Sequence, residues 1–153
     1  MNTTTEETIH VLNNLIEVCC DGADGFGHAA EEVELPELQA VFRRLSEQCR
    51  DFAAALRTSV NQLGEKAEDS GSIAAKAHRG WMKLREVVTT KDNHAILAEC
   101  ERGEDHAVAA YRDALSATLD PTAAALVQRQ YAEVQQSHDK VRDLRDSEVY
   151  QNV

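Results

Sequence analysis

Residues 64–93 read GEKAEDSGSIAAKAHRGWMKLREVVTTKDN. This stretch decides the topology because it separates two long amphipathic segments from two more. GEKAEDSGS (64–72) is dense in turn formers and reads as a loop. Ser72 can cap a short helix over about 73–89, with Ile73, Ala77, Trp81, Leu84 and Val88 inward. Asp92 then caps the next long segment. At 1.5 Å per residue the short helix spans roughly 24 Å, and its loops add more. The connection can therefore carry the chain from one end of a bundle to the other.

The flanking segments are helical by their spacing. Over about 5–33, Ile9, Leu12, Ile16, Cys19, Ala23, Phe26, Ala30 and Val33 alternate by three and four. Thr3/Glu6 and Thr4/Glu7 have capping-box spacing. Gly22, Gly25 and Gly27 interrupt the stripe and predict a bend, a bulge or a close approach of another backbone, with a complete break as the alternative. Pro36 opens a second helix over about 36–63, striped by Leu38, Phe42, Leu45, Cys49, Phe52, Leu56, Val60 and Leu63, with Gly64 as its cap. A helix over about 93–118 follows the long connection. Asp120-Pro121 starts the last, about 121–148, with Val127, Gln130, Val134, Val141 and Leu144 on its stripe. The turns at 34–36 and 119–121 are short, so each joins antiparallel neighbours. Two hairpins joined by one long crossover are the ferritin-like arrangement. The expected fold is all-α: one four-helix-bundle domain over 1–153, with a crossover helix between helices two and three.

Composition agrees and narrows function. Of the 153 residues 42% are hydrophobic, only 5% are aromatic, and there are two prolines, so helix breakers are scarce. The formal net charge of −11 makes nucleic acid and anionic membrane poor partners. No apolar run approaches the roughly 20 residues of a membrane span. The first ten residues, MNTTTEETIH, hold no basic segment followed by an apolar run. The expected location is cytoplasmic, with Cys19, Cys20, Cys49 and Cys100 reduced. Cys19-Cys20 is not a CxxC pair.

One residue breaks the pattern. In LAECERGEDHAVAAY (97–111), Leu97, Cys100, Ala107 and Tyr111 form an apolar stripe, and Glu104 lies on it. The hairpin registers bring Glu104 level with Cys19, Cys20, Asp21, Cys49, Arg50 and His138, to within about one turn. Di-iron bundles take one Glu from each of two helices and Glu-x-x-His from each of the other two. Here Glu47-Gln48-Cys49-Arg50 carries Arg at the His position, and Glu133-Val134-Gln135-Gln136 carries Gln. Two readings of the layer remain. In the first, Glu104 accepts hydrogen bonds from Arg50, His138 or both, with Asp21 joining, and the layer fixes helix register. In the second, Glu104, His138 and Cys49 hold a single iron, manganese or zinc ion. The thiols otherwise read as ordinary core residues.

HRGW (His78 to Trp81), CDGADGF (Cys20 to Phe26), SGS (Ser70 to Ser72), RGED (Arg102 to Asp105) and the late His138 together resemble one family. It is the bacterial ferritin-like four-helix-bundle domain family of unknown function. The resemblance covers nearly the whole chain. It implies a ferritin-like bundle and no activity. On the residues alone, Trp81 can cover the bundle seam while His78 and Arg79 pin the crossover to acidic helices or bind an anion.

The resulting expectation is a structural or interaction protein without a cofactor, one serving stress physiology. Its partner would be another protein, and its state monomer or homodimer. The alternative is a metal-binding protein or oxidoreductase with a degenerate mid-bundle iron, manganese or zinc site.

Overall fold

The computed structural model describes residues 2–65 and 92–147. They form four helices: α1 (Thr3–Glu32), α2 (Pro36–Gln62), α3 (Asn93–Ser116) and α4 (Pro121–Asp146), with no strand among the described residues. The expected crossover helix, with His78, Arg79 and Trp81, lies outside the described residues.

Local chemistry sets each end. Asn2, not Thr3 or Thr4, caps α1 by accepting from Thr5 N at 2.8 Å. Asp92 caps α3 through Ala95 N, and Asp120 caps α4 through Thr122 N and Ala123 N. Pro36 and Pro121 occupy first-turn positions, where no backbone donor is needed. Gly64 ends α2 with φ +96°, donating to Asn61 O at 3.1 Å while Glu65 N reaches Val60 O at 3.4 Å. That is a Schellman cap, and it needs the left-handed conformation that glycine adopts freely.

The core shows how the helices run. One cluster joins Ile9, Leu12 and Ile16 of α1 to Leu56 and Val60 of α2, Tyr111 and Ala114 of α3, and Ala123 and Val127 of α4. A second joins Phe26, Ala30 and Val33 to Leu38, Phe42, Ile96, Leu97 and Val141. The first halves of α2 and α3 therefore share one end of the bundle, and their second halves share the other. So α2 and α3 run parallel, and the end of α2 lies at the opposite end of the bundle from the start of α3. Helix α1 packs most extensively on α2, and α3 on α4, with α1 against α3 closing the bundle.

The glycine-rich part of α1 does not break. It stays helical through Gly22, Gly25 and Gly27, and α2 comes close there. A Cβ on Gly22 would stand 2.9 Å from Cys49 Sγ. Ser46 Oγ donates to Ala23 O at 2.7 Å, tying the two helices at the same height. Phe26 and Phe42 stack just beyond, with ring centroids 6.2 Å apart.

Candidate functional site

Glu104 is buried, with 5% of its surface exposed. It lines a small cavity of about 20 Å³ with Cys19, Asp21, Gly22, Cys49 and Tyr111. Asp21 is also buried, so the expected layer does bring these two acids to one place. It does not bring the expected bases. Arg50 is exposed, and its guanidinium lies beside Gly27. His138 turns to the α3–α4 edge, where Nε2 lies 2.6 Å from Asp105 Oδ1. Neither bonds to Glu104, and among the described residues no Lys, Arg or His is buried. Burial pushes the Glu104 carboxyl up to about 8, and neighbouring Asp105 adds to the shift. Glu104 is accordingly a neutral acid at neutral pH, as expected for a desolvated carboxyl with no buried cation beside it among the described residues.

The reason for His138 lies in one helical step. Position 137, not 138, is the inward one between Val134 and Val141. Ser137 is buried there and donates to Gln48 Oε1 at 2.8 Å, with Glu133 O also within reach. The next residue, rotated by about 100°, faces α3 instead. The register of the α3–α4 hairpin is nevertheless as expected, since His138 stands level with Asp105.

A different set of residues makes the polar connection across the bundle. Tyr111 O–H donates to Gln130 Oε1 at 2.7 Å. Gln130 Nε2 donates to the Phe52 carbonyl at 3.3 Å, and the Cys19 thiol lies 3.2 Å from the Tyr111 hydroxyl. These four groups come from all four helices, and each is buried. The signal for this chain was present in the sequence as Gln130 on an apolar stripe, level with Tyr111.

A ferritin-type iron site needs several carboxylates and imidazoles converging on one point. The interior offers Glu104, Asp21 and thiols. Burial holds the Cys19 thiol up at about 12, and raises Cys49 and Cys100 well above the usual range. Among the described residues, no three interior acid, thiol or imidazole donors lie within 4.8 Å of one another. Glu104, His138 and Cys49 do not converge, and the interior does not fit a di-iron group.

A family model described as a domain of unknown function, DUF2383, matches residues 7–117. The chain belongs to the DUF2383 family. Among solved structures, this DUF2383 chain is similar to a point mutant of Dps1 from Mycobacterium smegmatis, with a TM-score of 0.79 and 17% identity. The match covers 95% of this chain and 99% of that one, and establishes the ferritin-like fold. No curated protein matches the DUF2383 chain in sequence. None of its described helices is long and apolar enough to cross a membrane.

Proposed function

We propose that this DUF2383 protein is a non-enzymatic, ferritin-like scaffold that acts by binding a protein partner. The observation that carries this reading is the character of the mid-bundle layer. Where a ferritin-like bundle would place converging carboxylates and histidines, this one places the Cys19–Tyr111–Gln130 chain and the neutral Glu104. Such a layer favours one helix register and offers no nucleophile, because each interior thiol is held protonated by burial. The 20 Å³ cavity admits a water-sized group and no metabolite. A net charge of −11 favours a partner with a basic face over nucleic acid or anionic lipid. The working state is a monomer or homodimer, in the cytoplasm.

Ferrous iron mixed aerobically with the purified chain is expected to oxidise no faster than with a matched acidic protein that lacks a metal site. Accelerated oxidation that is lost in Glu104→Ala would overturn the reading and restore an interior oxidoreductase centre.

A further inference from the structure

The edge that His138 occupies carries a second constellation. Glu101 and Asp105 are one turn apart on α3 and share a face. The hairpin register sets His138 of α4 opposite them. One ligand atom from each of the three lies within 4.8 Å of the other two. In a site with metal–ligand bonds of about 2.1 Å, donors stand roughly 3.0–3.6 Å apart. Small side-chain adjustments therefore close the triad on an ion.

The surroundings hold these donors in place. The other imidazole nitrogen, Nδ1, lies 3.3 Å from Asp139 Oδ1, and Arg142 Nη1 holds that same oxygen at 3.2 Å. A carboxylate behind a histidine is the arrangement that orients imidazole ligands in metal sites. The side chains of Glu101 and His138 are mostly shielded, with 13% and 19% exposed, while Asp105 is 60% exposed. Arg145 Nη1 stands 2.5 Å from the buried Glu101 Oε2, as an ion pair without hydrogen-bond angles.

We propose that Glu101, Asp105 and His138 bind a divalent first-row transition-metal ion that clamps α3 to α4. Two carboxylates and a neutral imidazole suit zinc, manganese or ferrous iron, while the nitrogen donor disfavours magnesium and calcium. Arg145 pairs with Glu101, and Arg142 is within its electrostatic reach, while Asp105 pairs with the His138 imidazole. Three protein ligands with an exposed Asp105 leave the ion's outer side to solvent. The site lies outside the bundle interior, so an ion here is compatible with the scaffold reading and rests on none of its evidence.

The test is calorimetric titration of zinc chloride into the chelator-stripped full chain, made without a histidine tag. Cobalt spectra of the same protein report the ligand type. One equivalent should bind, and the cobalt spectrum should lack a thiolate charge-transfer band. His138→Gln and Asp105→Asn should each weaken binding at least tenfold, since even outer partners of metal ligands contribute about 10–100-fold. Circular dichroism would confirm that both variants remain folded. No uptake at millimolar zinc would overturn the site and leave a plain ion-pair network. So would unchanged affinity in both variants, or a thiolate band. Iron oxidation at background beside absent zinc binding would defeat this site alone. Accelerated oxidation lost in Glu104→Ala would defeat the scaffold reading alone.

Discussion

Glu104 sets the pH behaviour at the scale of single residues. Its folded pKa of about 8 lies above the ordinary 4.5, so the folded chain holds the proton more tightly than the unfolded chain. The stability this gives is fully present below about pH 4.5, declines through the window and is gone above about pH 8. At about 1.4 kcal/mol per unit, the decline amounts to at most about 5 kcal/mol. Glu104→Gln removes the titration. Denaturant melts in chelator should therefore show this variant gaining on the wild type between pH 5 and 8, and parallel curves would refute the buried neutral acid. Among the described residues Glu104→Ala strands no buried cation, since Arg50 and His138 stand elsewhere, so no cost of breaking a buried ion pair is expected from them. Tyr111→Phe is different. It leaves Gln130 Oε1 and the Cys19 thiol without their shared hydroxyl, and should cost about 1–3 kcal/mol. A loss under about 0.5 kcal/mol would mean that the chain is replaceable by packing.

Helix ends and helix contacts make their own tests at the scale of elements. Gly64→Ala places a Cβ at φ +96° in the α2 cap, and should lower stability by about 1–2 kcal/mol. Gly22→Ala pushes a methyl against Cys49 Sγ, and overpacking of this kind typically costs about 1–3 kcal/mol. Adding Cys49→Ala should return part of that loss, because the clash is with that one side chain. An additive double-mutant cycle would show that Gly22 matters for some other reason. The turn between α3 and α4 is also anchored. Thr8 of α1 accepts from Asp120 N at 2.9 Å while donating to Thr4 O at 2.7 Å. One side chain thus joins the start of the bundle to its last hairpin.

Thiol reactivity reports the integrity of the whole bundle. Cys19 and Cys100 are buried, and the Cys49 thiol sits against α1 at Gly22. Cys20 is half-buried, with Arg57 Nη2 donating to its sulfur at 3.2 Å. In native buffer a thiol reagent should reach Cys20 first, and the other three only as fast as the bundle opens. Denaturant should make all four react together. Immediate native labelling of Cys19 or Cys100 would contradict the core as described.

Apolar spacing of three and four, with prolines and caps at the breaks, was enough to place the four helices to within about two residues. The short turns and the long 64–92 connection were enough for the parallel pairing of α2 and α3. These properties are local or depend on chain length, so the sequence by itself determined them. Glu104 was also legible as a carboxyl on an apolar stripe, and it was level with His138, to within about one turn, once the hairpin was drawn. The partners were not legible. Periodicity places a side chain within a sector of roughly 100°, while a hydrogen bond is decided within a few tenths of an ångström. Only the tertiary structure decided that Ser137 turns inward and His138 outward. It alone placed no base beside Glu104 among the described residues, and it joined Tyr111 to Gln130 and Cys19, because those outcomes depend on how each helix is rotated against its neighbours.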